Sequence, residues 1–393
     1  MKILHVVPFF PPALAWGGPV TTAYEISKEL VKRGHQVTVY TTDSLDRYHR
    51  VDLPKDRPTN LDGITVYYFK NLSNWLAGKH HIQLTPSIIE VARDKMKGFD
   101  IIHLHGYRTP QNIVIYYYAR RYNIPYILHA QGTLPNITPK RTLKTIYDLF
   151  WGRRLLQNAC KVIAMTSTEV EQYIDMGVTE NNIVMTPTGI DLDEFADLPP
   201  RGIFRRKYNV EENDKLILYL GRIHQSKGID LIIRAFTDLS KEVDKTKLAI
   251  IGPDDGYLSK VKKLIKSLEI KQYIVLLTGP IYGKSRLEAY VDADVFILPR
   301  FTSFPKVFVE ACACGLPIVA TSAGDTLDWL DGRAGLTVPY DRREMQNALL
   351  RLLNNDRMRR DLGERGRSLV QEKFNWIKIV DHLEQVYWSA QEV

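Results

Sequence analysis

The sequence predicts an α/β protein of two domains, each a parallel sheet wrapped by helices. Three observations carry this. Short apolar runs alternate with amphipathic helical segments through both halves, the pattern of βαβ units. A length of 393 residues exceeds what one typical hydrophobic core holds. The segment 191–202, DLDEFADLPPRG, carries two prolines and no periodicity, which places a boundary there. Domains are therefore expected at 1–195 and 196–374. A C-terminal helix over 375–393 is expected to pack back towards the first domain. Two such parallel sheets are expected to face a central ligand cleft.

In the first half, strands are predicted at Ile3–Val7, Gln36–Thr41, Thr65–Phe69, Ile101–Leu104, Tyr126–His129, Val162–Met165 and Ile183–Met185. Helices are predicted at Thr21–Lys32, Pro86–Met96, Asn112–Arg121 and Thr142–Asn158, with Gly34 a stop for the first. Residues 43–62 and 71–85 lack periodicity and read as long polar loops. The second half repeats the scheme with strands at Leu216–Leu220, Leu248–Ile251, Ile274–Leu277, Val295–Leu298, Ile318–Thr321 and Leu336–Val338. Its last amphipathic stretch is Trp376–Ser389.

Composition narrows the function classes. The net charge of +8 and pI near 9.1 favour anionic partners mildly. Each half is net +4, so there is no basic arm of the nucleic-acid-binding kind, and no nucleic-acid partner is expected. Three cysteines form no disulfide framework, and Cys312 and Cys314 have no partner pair for a metal. The amino terminus enters a strand pattern directly, without signal-peptide character, and no apolar run approaches the roughly 20 residues that span a bilayer. A cytoplasmic protein is expected, with peripheral contact on the membrane's cytoplasmic face left open.

The most informative stretch is LILYLGRIHQSKGID. An apolar run ends at Gly221, Arg222 and Lys227 follow on a five-residue spacing, and Gly228 opens an amphipathic helix. In open α/β sheets ligands bind at the carboxyl ends of strands. Two cations there suit a diphosphate, which Lys meets as a point charge and Arg as a fork. A solvated basic loop would read similarly. Gly17 and Gly18 precede another helix, where glycines let a backbone approach a ligand, although a simple turn explains the pair as well. No G-x-G-x-x-G follows the first strand, which argues against a nicotinamide dehydrogenase.

Taken in order, GGP at Gly17–Pro19, His129 after a strand, PTGID at Pro187–Asp191, GRIHQSKGID at Gly221–Asp230, IIGPDD at Ile250–Asp255 and FPKVFVEACACGLPIVAT at Phe304–Thr321 cover nearly the whole chain. This series resembles the retaining glycosyltransferases of family 4 (glycosyl transferases group 1), which have the GT-B fold of two Rossmann-like domains. The resemblance implies a hexosyltransferase using a UDP-sugar or GDP-sugar and no metal or other cofactor. The donor would lie mostly on the second domain and the acceptor on the first, with domain closure bringing them together. Arg222 and Lys227 would stabilise charge growing on the leaving diphosphate. Glu310 would accept hydrogen bonds from the ribose hydroxyls; without the resemblance it reads as a favourable charge in a helix's first turn. The resemblance also implies backbone donors at Lys306, Val307 and Phe308, donor contacts at Gly252, Asp254 and Ile281, and His129 reaching the donor sugar. His103 and His105 share a strand face and read as cleft-lining or structural. The leaving phosphate would itself deprotonate the incoming hydroxyl.

The chain departs from the family pattern at Thr302, where a second Glu usually grips the donor sugar. Grip is expected to weaken, change in sugar preference, or come from Ser303. That departure motivates the alternative of a catalytically weak sugar-nucleotide-binding or partner subunit; a GT-B-type epimerase fits less well, for want of acid/base carboxylates. The segment 138–161 has a local net charge of +5, with Leu143, Ile146, Tyr147, Phe150, Trp151 and Leu155 at helical spacing. The commoner case for such a pattern is a core-facing helix with a solvated basic face. The other reading is a surface for peripheral membrane contact or for a lipid-linked acceptor.

Overall fold

The computed structural model describes residues 1–46, 48–80, 82–135, 141–279, 281–301, 304–322 and 328–392; residues 15, 78–80 and 141 are described by backbone alone. The chain forms two compact units, Met1–Thr188 with Trp376–Val393, and Gly189–Asn375. Residues 189–195 belong to the second unit because Ile190 donates to Phe374 O at 2.8 Å and bridges Asn375.

The first unit is built on β1 (Lys2–Val6), β2 (Gln36–Thr42), β3 (Pro58–Leu61), β4 (Ile64–Phe69), β5 (Ile101–His105), β6 (Tyr126–His129), β7 (Lys161–Ala164) and β8 (Ile183–Met185), in the order β3-β4-β2-β1-β5-β6-β7-β8. All pairs are parallel except β3–β4. The central strands are apolar on both sides because both faces are covered. Leu4, Ile102, Leu104 and Leu128 fill one side, and Ile3, Ile101, Ile127 and Ile163 the other. Over that second side lie the helices Gly18–Lys32, through Ile26 and Leu30, and Trp376–Gln391, through Ile379 and Leu383. The first of these stops as expected at Gly34, whose φ of 85° lets Gly34 N reach Val31 O and His35 N reach Leu30 O.

Two regions expected as loops carry structure. β3 forms a hairpin with β4 through Asp62 and Gly63 (φ 52° and 82°), and a short helix runs over Asn74–His80. The stretch 138–161 departs from its commoner reading. Residues 136–140 lie outside the described chain; from Arg141 it is helical, with a π-turn at Asp148–Gly152. Leu143, Ile146, Leu149, Phe150 and Trp151 are 42–68% exposed, whereas Asp148, Gly152 and Leu155 face inward. Arg108 holds Asp148 through two hydrogen bonds of 2.7 and 2.9 Å. A Cβ at Gly152 would stand 2.2 Å from the Tyr107 hydroxyl, so only glycine allows this approach.

The second unit is a six-stranded parallel sheet of β9 (Lys215–Leu220), β10 (Thr246–Ile251), β11 (Ile274–Leu277), β12 (Val295–Leu298), β13 (Ile318–Thr321) and β14 (Gly335–Val338), ordered β11-β10-β9-β12-β13-β14. From β9 the chain winds outward to β11, then returns to place β12 on the other side of β9. The loops after β9 and β12 therefore diverge, which is where an open α/β sheet forms its ligand crevice.

Candidate functional site

β9 ends at Gly221, but its loop keeps pairing with the loop after β10. Gly221 N donates to Ile251 O at 3.0 Å, Ile223 N to Pro253 O at 2.8 Å, and Asp255 N to Ile223 O at 3.1 Å. Gly252, with φ 155°, permits this: a Cβ there would stand 1.8 Å from Gly221 O. The Tyr219 hydroxyl donates to Arg222 O at 2.8 Å. His224 then caps a 3-10 turn, Gln225–Lys227, by accepting from Ser226 N. Gly228, in the left-handed region at φ 71°, turns the chain into the helix Ile229–Glu242. A Cβ on Gly228 would lie 3.2 Å from Pro299, just beyond β12, so Lys227 stands at the divergence of the two loops.

The two cations differ in their surroundings. Arg222 is exposed and pairs with Asp255. Lys227 is half-buried, and no carboxylate among the described residues pairs with it; burial, then the charge of Arg222, lower its pKa. Among the described residues, then, this half-buried ammonium has a cation for a neighbour and no anion. Asp254 serves the backbone: its Oδ1 accepts from Gly256, Tyr257 and Leu258 N at 2.9–3.2 Å, ahead of the helix Leu258–Ser267. Ile281 lies half-buried in the loop before the helix Gly283–Asp292.

The helix Lys306–Ala313 begins after Pro305 without a side-chain cap. Phe308 N donates to Pro305 O at 2.9 Å, so of the three expected backbone donors those of Lys306 and Val307 stand at the open first turn. Glu310 is the fifth residue of this helix, not in its first turn, and is 4% exposed. Its Oε1 accepts from Arg286 at 3.1 Å and its Oε2 from the Tyr290 hydroxyl at 3.0 Å. Arg286 also pairs with Glu194. Burial opposes the charge of Arg286, and the two carboxylates more than offset it, raising its pKa. Sequence reasoning missed Arg286 and Tyr290; the available signal was their four-residue spacing, which puts both on one helix face. Thr302 and Ser303 lie outside the described residues.

In the first unit, Gly17 has φ 84° and the helix starts at Gly18 with no side-chain cap. His129 ends β6, 2% exposed, its ring nitrogens meeting no partner among the described residues. It belongs to a row. The registers His5↔His103 and His105↔His129 put four histidines on one sheet face, continuing the isoleucine side towards the carboxyl ends. His105 Nε2 lies 3.2 Å from His5 Nδ1, and His103 Nδ1 lies 2.8 Å from the Tyr387 hydroxyl. Burial lowers the pKa of all four, to about 3 for His5 and His129, and neighbouring imidazoles add to this at His103 and His105. His5, His103 and His105 offer nitrogens within 4.8 Å of one another, spacing that three metal ligands could have. His5 was visible in the alternation of KILHV but was not singled out.

Two family models match the chain and meet between residues 194 and 200, a few residues after the structural boundary at Thr188. Residues 16–194 match Glycosyltransferase Family 4, and residues 200–369 match Glycosyl transferases group 1. The chain is a group 1 glycosyltransferase. It is 25% identical to the D-inositol 3-phosphate glycosyltransferase of Kineococcus radiotolerans, over 98% of this chain and 94% of that protein. It is also 25% identical to the N-acetyl-alpha-D-glucosaminyl L-malate synthase of Bacillus anthracis, over 95% and 94%. Anabaena HepE, solved in complex with UDP-glucose, has the same GT-B fold, with a TM-score of 0.75 at 18% identity over 99% of this chain and 100% of that one. Among the described residues of this glycosyltransferase, no helix is long and apolar enough to cross a membrane.

Proposed function

We propose that this glycosyltransferase moves a hexose, with retention of anomeric configuration, from a UDP- or GDP-sugar to a hydroxyl acceptor without a metal ion. The observation that carries this is Lys227: a half-buried ammonium with no carboxylate partner among the described residues, depressed by burial and by Arg222, where β9 and β12 diverge. A diphosphate there relieves the repulsion between the two cations. The UDP-glucose in the HepE complex makes that sugar nucleotide the first donor to test.

In the reaction the bond from the sugar C1 to the phosphate oxygen breaks, and a bond from C1 to the acceptor oxygen forms on the same face. The acceptor proton passes to the departing phosphate oxygen. Negative charge grows on that phosphate, so cations fixed beside it favour the transition state over the ground state. Each Glu310 oxygen takes one bond, from Arg286 or Tyr290, and a carboxylate can accept more, so Glu310 accepts from the ribose hydroxyls. The open helix end at Lys306 and Val307 supplies N–H donors to the phosphate or sugar. His129 serves the donor sugar as a neutral hydrogen-bonding group, because its low pKa keeps it uncharged.

The test is turnover of a panel of nucleoside-diphosphate sugars in excess chelator, with the product's anomeric configuration read by NMR. Transfer should survive chelation and keep the donor's configuration. Activity that disappears with chelator and returns with Mg²⁺ or Mn²⁺, or an inverted product, would overturn the reading.

A further inference from the structure

The helical segment from Arg141 to Gln157 turns its apolar side outward. Leu143, Ile146 and Phe150 follow one helical stripe, exposed by 58%, 44% and 59%. The π-turn at Asp148–Gly152 adds Leu149 (68%) and Trp151 (42%) beside them. The opposite side is anchored by a buried ion pair, since Arg108 and Asp148 are each about nine-tenths buried and Arg108 also donates to Thr133 O at 2.7 Å. Tyr147 reaches Tyr107 O at 3.2 Å and Leu155 is fully buried. The orientation is therefore fixed by the fold, and the exposed apolar side chains have no core to enter. Arg153 and Arg154 are exposed at the end of this surface, and the segment's one acid, Asp148, is neutralised from inside.

We propose that this surface docks the glycosyltransferase on an anionic lipid bilayer. A stripe of Leu, Ile, Phe and Trp bordered by Arg matches the interface between acyl chains and phosphate headgroups. Trp151 and Phe150, whose rings lie 5.6 Å apart, enter the boundary region, while Arg153 and Arg154 meet lipid phosphates. A second copy of the chain fits less well. A two-fold interface sets the same patch against itself, and within this segment the one acid, Asp148, is turned inward to Arg108 and cannot receive the partner's arginines. The chain's net charge of +8 acts in the same sense as the patch. This surface lies wholly in the first unit, and its role stands apart from the donor site.

The full-length protein is sedimented with vesicles of phosphatidylcholine alone or mixed with phosphatidylglycerol, and tryptophan emission is followed in parallel. Wild type should bind the mixed vesicles, with blue-shifted emission that Trp151→Phe reduces, and should release with salt. Arg153→Glu with Arg154→Glu should weaken binding by more than tenfold, from about fivefold per cation lost. Leu149→Ser with Phe150→Ser should also weaken it by more than tenfold. Both pairs are exposed, so melting temperature and binding of UDP measure folding and the donor site separately. Absence of vesicle binding by folded wild type, or variants that bind like wild type, overturns the proposal. So does a concentration-dependent dimer abolished by Leu149→Ser with Phe150→Ser, which would assign the surface to a second copy.

Discussion

Replacing Lys227 by Met removes the ammonium but keeps most of its aliphatic stem, and the structure gives opposite signs for its effects on the free and loaded protein. In the free protein Lys227 has no carboxylate partner among the described residues, and both burial and Arg222 disfavour its charge. Losing that charge breaks no ion pair among the described residues and removes a like-charge neighbour of Arg222, so the melting temperature should hold or rise. In the loaded protein a charge-assisted hydrogen bond to phosphate is lost, about 1.5–3 kcal/mol. That weakens UDP or GDP binding roughly 10- to 150-fold, and turnover should fall by about 100-fold or more. Titration calorimetry of the nucleoside diphosphate, paired with thermal melts, reads both signs. The same calorimetry checks the cause. A lysine whose folded pKa is depressed carries its charge at a cost that is full below that lowered value and is lost as pH rises from it to 10.5. A bound anion pushes the pKa back up. Binding between the lowered value and 10.5 should therefore take up protons in wild type and take up fewer in Lys227→Met. An unchanged affinity with a lowered melting temperature would make Lys227 a structural residue and remove the clamp from the mechanism.

Glu310→Gln keeps the shape but loses the charge that faces Arg286, so plain nucleoside diphosphate should bind about ten- to a hundredfold more weakly. Wild-type affinity in that variant would confine Glu310 to holding Arg286 and Tyr290. The four buried histidines predict a steep loss of stability in acid. Their folded pKa values lie below the ordinary 6.5, so above that pH neither state is charged. As pH falls from 6.5 towards about 3, the unfolded chain takes up protons that the folded chain refuses. Each contributes roughly 1 kcal/mol per pH unit. Urea unfolding between about pH 7 and about pH 5 should show this slope, and His5→Asn should make it shallower; an unchanged slope would mean that the row takes up protons within the folded state.

The strands that build both sheets were legible because parallel strands covered on both faces leave uninterrupted apolar runs. β3 was not, because Pro58–Leu61 is a partly exposed edge strand with one apolar residue. Its signal was the turn: Asp-Gly between Leu61 and Ile64 marks a two-residue hairpin, and both central residues have the positive φ such a turn needs. The expected boundary near residue 195 followed the prolines. Backbone bonding sets it earlier, since Ile190 pairs with Phe374 and Asn375 and carries 189–195 into the second unit. Arg222 and Lys227 were visible because one short glycine-bounded loop holds both. The partners of Glu310 were not, because Arg286 stands 24 residues away on another helix and only the sheet order brings them together.

The segment 141–157 shows where periodicity stops being informative. A helical repeat tells which side chains share a face, but assigning the apolar face to the core assumes that the other face cannot be buried. Here it can. Asp148 would be costly inside a protein alone, but Arg108 answers both its oxygens, at 2.7 and 2.9 Å. Gly152 adds no side chain and so admits the Tyr107 ring. Tyr147 brings a hydroxyl that finds backbone oxygens of Tyr107 and Thr109. With Asp148 and the Tyr147 hydroxyl bonded in this way, that side can be buried, and the π-turn widens the outer side to three successive apolar residues, Leu149 to Trp151. The deciding partner, Arg108, sits 40 residues upstream and carries no local mark in the segment it controls. An apolar stripe held outward by a buried ion pair is a surface, and what it meets must supply the apolar environment that the core does not.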